Sequence, residues 1–233
     1  MPKETLDSVI DPLEIESIGE GPPPPIPEPP FGPDDDDDGD FMDSQMNNAY
    51  VGMVLFIGAE VMLFAGLIGA FLLFRFGSAV WPPPFQPRLP VFVTGINTAI
   101  LLLSGYTMHQ ALQAIQNRNY QQLANKLLVT ACLGLTFLVI QGYEWIRLIR
   151  FGLTPSSGVY GSTFYVLIGT HGTHVLGAVI WLLILLFRVR RRNNPLDRLY
   201  FMTRHYIGVK ICGMYWYFVV ALWPVLYTLV YLS

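Results

Sequence analysis

Apolar residues along this chain gather into five long runs: Tyr50 to Phe74, Val91 to Ala111, Leu127 to Trp145, Thr163 to Phe187 and Ile207 to Leu232. A membrane-crossing helix needs about 17–25 residues to cover a hydrocarbon core of about 30 Å, and each run is long enough. A transmembrane β-barrel would need strands of about 10 residues with alternating polarity, which these runs lack. The pattern predicts an all-α, polytopic membrane protein, a bundle of five transmembrane helices. The second run is the most diluted, by Asn97, Ser104, Thr107 and His109. Those polar groups need partners in the protein rather than in lipid. The connectors are short. Trp81 followed by Pro82, Pro83 and Pro84 sets a rigid, extended turn within 77–90, and 151–161 is rich in Gly, Pro and Ser.

Charge changes the picture of the N-terminus. Fourteen of the seventeen Asp and Glu residues precede Asn47, including the unbroken run Asp34 to Asp38. One Lys against fourteen acids leaves residues 1–46 at −13, whereas thirteen Lys and Arg against three acids leave residues 47–233 at +10. The first segment is also proline-rich, with Pro22 to Pro25 suited to polyproline II. Few large apolar groups and strong self-repulsion leave nothing to offset chain entropy there, so a disordered tail is expected. Such a tail is either a solvated extension or an acidic strip that docks on basic surface. The chain thus divides into the tail, 1–46, and a membrane body, 47–233. No apolar h-region or Arg-rich amphipathic stretch suggests a cleavable presequence.

Basic residues set an orientation. The side shared by the tail and the second and fourth loops holds Arg118, Lys126, Arg188, Arg190, Arg191, Arg192, Arg198, Arg204 and Lys210. The opposite side holds Arg75, Arg88, Arg147 and Arg150. Nine against four predicts a cytoplasmic N-terminus.

Few side chains could carry chemistry. Glu60 lies in the middle of the first run, where an unpaired charge costs roughly 2.5–3.5 kcal/mol. It is expected to be protonated or paired with a polar group from another helix, either as a functional acid or as interhelical glue. Glu144, near the end of the third run, has Arg147 at i+3 and is expected to form an ion pair. His171 and His174, also at i, i+3, share one helix face. They could ligate a metal together with Glu60 or Glu144, or be buried histidines bonded to acids of a neighbouring helix. No third His is convincingly placed, and a bis-histidine haem would need opposing His on separate helices. No metal site or redox centre is therefore expected on this chain.

Cys132 and Cys212 fall within runs and are expected to be buried, inert thiols. The arginines from Arg188 onward fit contacts with lipid phosphates. Small residues at helix-packing spacing, Gly66 with Ala70, Ala65 with Gly69 and Thr173 with Gly177, suggest close helix approach in this bundle or with another subunit. Hydrolase, phosphate-loop and nucleic-acid signatures are absent.

Several segments, in order, resemble subunit III of the haem–copper oxidases, the cytochrome c oxidase family. They are Leu55 to Phe64 around Glu60, the Trp81-Pro-Pro loop, Leu135 to Glu144, Gly158 to Phe164, His171 to Gly177, Arg188, and Tyr215 to Tyr227. The resemblance runs from about Tyr50 to Leu232 and matches the last five of the family's seven helices, as in short bacterial forms. Two positions depart from it: Tyr217 and Val220 stand where the family has a His and an Asp.

The resemblance implies an accessory subunit of a proton-pumping terminal oxidase in a bacterial plasma membrane. It would pack with subunits I and II, which carry the haems and copper, and support proton uptake, stability and assembly of subunit I. It would have no catalytic centre and no cofactor of its own, with phospholipid bound, for example at Arg188. Glu60, Glu144, His171 and His174 would be the buried functional polar groups. A quinol oxidase subunit, a nitric-oxide-reductase-associated homologue and a small proton-coupled transporter are the alternatives.

Overall fold

The computed structural model describes residues 37–81, 90–191 and 195–232, with side chains described for 47–81, 90–191 and 206–232. These residues form five α-helices: α1 (Asp37–Gly77), α2 (Val91–Gln116), α3 (Tyr120–Arg150), α4 (Val159–Arg190) and α5 (Pro195–Tyr231). Residues 37–43 belong to a different compact unit from Ser44–Ser233, and only their helical backbone is described. Within the described residues five helices are long and apolar enough to cross a membrane. The protein is an all-helical, multi-pass membrane protein.

Every helix overruns the apolar run that announced it. The run marks the part lying in hydrocarbon, whereas a helix of 31 residues such as α3 is roughly 46 Å long and continues through the headgroup layers. The largest overrun is at α1, which begins thirteen residues before Tyr50 and inside the expected disordered tail. The stretch 37–46 has no proline, and its acids suit the positive end of a helix dipole. The rest of that tail, 1–36, lies outside the described residues.

The turns are short and locally encoded. Between α2 and α3 only Asn117, Arg118 and Asn119 intervene. Arg118 takes a left-handed conformation (φ 52°), and Asn119 caps α3 by accepting from the Gln122 amide at 3.1 Å. Between α3 and α4, Gly152 (φ 95°) and Gly158 (φ 120°) supply backbone that side chains disfavour. Ser157 closes the turn on the Thr154 carbonyl.

Helices α2 to α5 close into a ring, in which α2 packs on α3 and α5, and α4 packs on α3 and α5. Its interior is dense. A Cβ on Gly134 would stand 2.5 Å from Trp216 and 2.9 Å from Val179. Of the polar residues that dilute the second run, Asn97, Ser104 and Thr107 are buried, as are Thr94 and Thr98 beside them, whereas His109 is exposed. They bond across the ring, Thr107 with Thr130 at 2.8 Å, and Thr98 accepting from the Trp223 indole at 2.9 Å.

Helix α1 is different. Only 11% of its apolar stretch is buried, against 39% to 50% in the other four. Met53, Phe64 and Phe71 are its buried large side chains. Gly66, Gly69 and Gly177, singled out by their spacing, have no atom of another element within 4 Å of a notional Cβ. Those small residues do not join helices of this chain; they face outward. Cys132, expected to be buried, is exposed on the bundle's outer surface, and only Cys212 is enclosed.

Candidate functional site

The groove between α4 and α5 receives α1 through side chains. Phe56 meets Tyr215, Phe64 meets Phe218, and Lys210 lies 5.7 Å from the ring centre of Tyr50. Near the far end, Arg75 donates to the Leu229 carbonyl at 3.3 Å, and Phe71 packs edge-on against Trp81, which in turn meets Tyr160. Trp81 thus packs back onto the helices, whereas Pro82, Pro83 and Pro84, expected to form a rigid turn, lie outside the described residues.

Midway along α1, Glu60 Oε2 lies 2.8 Å from His174 Nε2, with side-chain exposures of 14% and 16%. His174 Nδ1 lies 2.6 Å from the Thr170 carbonyl, one turn back on α4. A carbonyl can only accept, so Nδ1 carries a hydrogen and the ring is oriented by its own helix. The proton between Nε2 and Oε2 is then the shared one. The pair is either a carboxylic acid donating to a neutral imidazole or an imidazolium donating to a carboxylate. Glu60 therefore has the partner from another helix that its depth requires. Phe64, one turn on, meets the His174 ring edge-on at 5.2 Å and shields the pair.

His171 does not join it. The two histidines sit on adjacent sectors of α4, and His171 turns into the ring of helices, where it is fully buried. It stacks on Trp223 at 4.9 Å, with Phe137 and Phe64 edge-on, and neither ring nitrogen has a hydrogen-bond partner. Among the described residues no group of three or more His, Cys, Asp or Glu could hold a metal ion. The metal arrangement in which the two histidines act with Glu60 or Glu144 is therefore not formed.

Glu144 is also placed differently from expectation. It is 4% exposed inside the ring, whereas Arg147 points outward, 5.8 Å from the Phe151 ring centre. Three residues along a helix turn the side chain away by enough to put the acid on the inner sector and the arginine outside. The expected Glu144–Arg147 ion pair is absent. Beside the acid, Asn97 Nδ2 donates to the Phe137 carbonyl at 3.2 Å and approaches Gln141 Oε1 at 3.5 Å. Gln141 Nε2 donates to the Tyr231 hydroxyl at 3.1 Å. Sequence reasoning missed this network, although the 3–4 spacing of Thr94, Asn97 and Thr98 was its visible trace.

Arg188, exposed near the end of α4, borders a groove of about 550 Å³ lined by Ile180, Leu183, Ile184 and Phe187. His109 hydrogen-bonds to Gln113 on its own helix and stays outside the site. Tyr217 and Val220 take no part in holding Glu60. Val220 fills the ring beside Gly105, whose notional Cβ would lie 3.3 Å from it.

The family model for cytochrome c oxidase subunit III matches residues 37–233. The chain belongs to this family. A cytochrome c oxidase subunit 3 of Synechocystis sp. is 39% identical over 181 residues, 78% of this chain and 74% of that protein. Those of the tick Rhipicephalus sanguineus (35% over 196 residues, 80% and 71%) and Drosophila yakuba (36% over 192 residues, 77% and 67%) are also similar. This chain is thus a subunit III of a haem–copper oxidase, and its Glu60–His174 pair lies inside the matched region.

Proposed function

We propose that this subunit III is a non-catalytic member of a proton-pumping oxidase in a bacterial plasma membrane. It packs against subunits I and II, which hold the haems and copper, and has its N-terminus in the cytoplasm. The nine-to-four distribution of basic residues supports that orientation. The single observation that carries the functional reading is the 2.8 Å bond between Glu60 and His174 across two membrane helices. With Nδ1 fixed on Thr170, the pair shares one proton between Glu60 Oε2 and His174 Nε2, and its partial exposure lets that proton exchange. Such a pair acts as a local proton store that supports uptake into the neighbouring subunit and prolongs the life of the working enzyme. Arg188, at the lip of an apolar groove, fits the phosphate of a phospholipid whose acyl chain lies along Leu183 and Phe187.

The test compares Glu60→Gln and Glu60→Ala in the whole oxidase. Glutamine can donate to His174 Nε2, so assembly survives, but an amide does not share a proton. The expected result is normal assembly and initial turnover with slower proton uptake and faster inactivation during turnover. Unchanged pumping and lifetime in Glu60→Gln would reduce the pair to a structural joint.

A further inference from the structure

Helices α1 and α5 run in the same direction, with Tyr50 meeting Lys210, then Phe56 Tyr215, Phe64 Phe218 and Arg75 Leu229. Their membrane spans begin at Asn47 and Tyr206, so Tyr50, Tyr206 and Lys210 gather within the first two turns of those spans. There the Lys210 ammonium lies 4.4 Å from the ring centre of Tyr206, one turn back on α5. It lies 5.7 Å from the ring centre of Tyr50 on α1, and it hydrogen-bonds to both phenols. All three residues are half-buried, and among the described residues no carboxylate pairs with the lysine. An ammonium has three N–H groups and no acceptor, so two go to the phenol oxygens and a third remains. A phenol whose oxygen accepts from the ammonium turns its own O–H away from it. The cluster is therefore a set of donors around one positive charge, and its complement is a compact anion with several acceptor oxygens.

We propose that Lys210, Tyr50 and Tyr206 hold the phosphate of an anionic phospholipid, in the leaflet on the side where the α1 and α5 spans begin. At the end of a membrane span the abundant anion of this kind is a lipid phosphodiester, and Lys binds phosphate as a point charge. Tyr and Lys are also side chains that settle at headgroup level. The lipid then ties α1 to α5 at the end opposite Arg75. This site is separate from the apolar groove beside Arg188, whose lining comes from α4. With 11% of its apolar stretch buried, α1 has the most to gain from such a tie. Its attachment thus depends on headgroup charge, whereas the ring of α2 to α5, joined by its own packing, is indifferent to it.

The test places the intact oxidase in nanodiscs of zwitterionic phosphatidylcholine, alone or mixed with anionic phosphatidylglycerol. Hydrogen–deuterium exchange is then followed in peptides covering residues 47–56. In the native complex these should exchange about fivefold more slowly with phosphatidylglycerol, the factor expected for one Lys at an anionic surface. Lys210→Gln should abolish that difference. The double variant Tyr50→Phe, Tyr206→Phe keeps both rings, loses only the hydroxyls, and should shrink it. Native mass spectrometry should count one phosphatidylglycerol fewer on Lys210→Gln than on the native oxidase. Equal exchange of 47–56 in the two lipid mixtures, or a difference that survives Lys210→Gln, would overturn the proposal. So would inorganic phosphate restoring slow exchange in phosphatidylcholine alone, since the anion would then not be a lipid. Equal loosening by Lys210→Gln in both mixtures would reduce the cluster to a direct joint between helices. The native complex in the two mixtures still tests the proposal if a variant fails to assemble.

Discussion

Helix α1 and the ring formed by α2 to α5 obey different rules, and the more loosely held α1 is the most apolar of the five spans. The ring is joined by close packing and buried hydrogen bonds: Gly134 under Trp216, Thr107 with Thr130, Trp223 on Thr98, and the Asn97–Gln141–Tyr231 chain. Helix α1 keeps its glycines free and attaches through a few side chains, with Glu60–His174 at the centre and Arg75–Leu229 near one end. In lipid there is no hydrophobic drive for two apolar helices to associate, so packing and hydrogen bonding decide the joint. Apolar composition puts a helix in the membrane. It does not say how firmly that helix is held there.

Substitutions should separate the two regions. The largest effect is expected at Gly134→Ala, where the added methyl collides with Trp216 and Val179 and overpacking costs about 1–3 kcal/mol. Its counterpart on α1, Gly66→Ala, meets no neighbour in this chain and should change stability by less than about 0.5 kcal/mol. Thermal melting of the purified oxidase, followed by retention of this subunit, checks both. A Gly66→Ala effect as large as that of Gly134→Ala would mean that α1 is packed tightly after all, against another subunit.

The next effect belongs to the polar interior. Asn97→Leu strips the Phe137 carbonyl and Gln141 of a donor, a loss of about 1–2 kcal/mol in the same melting assay. Below it comes Glu60→Ala. Polar pairs between membrane helices average about 0.6 kcal/mol and reach about 1.7, so a shift in that range is expected, with Glu60→Gln close to native. If Glu60→Ala destabilised more than Gly134→Ala, the ranking of joint and ring would be reversed.

How far the sequence could be read follows the same division. Length and hydropathy place the five helices because the hydrocarbon core demands both. Glu60 was legible as an acid either protonated or paired across helices, and the two histidines as possible partners, but which of them it meets was not. His171 and His174 are equivalent on a helical wheel read from sequence, and only the position of α1 against α4 selects His174. The Glu144–Arg147 spacing pointed the wrong way, since i+3 neighbours can fall on either side of the boundary between ring interior and lipid face. The small-residue pairs named surfaces without naming what covers them. Helix extension to Asp37 was hidden because acid and proline content speak of solubility, not of where a backbone stops being helical.

Hydrogen–deuterium exchange on the intact oxidase in lipid nanodiscs tests most directly whether α1 is an attached helix and the ring is self-sufficient. With Glu60→Ala, peptides covering residues 52–71 should exchange faster than in the native complex, while those covering 97–108, 130–144 and 164–182 should be unchanged. Equal loosening of α1 and the ring, or no change in either, would contradict the account.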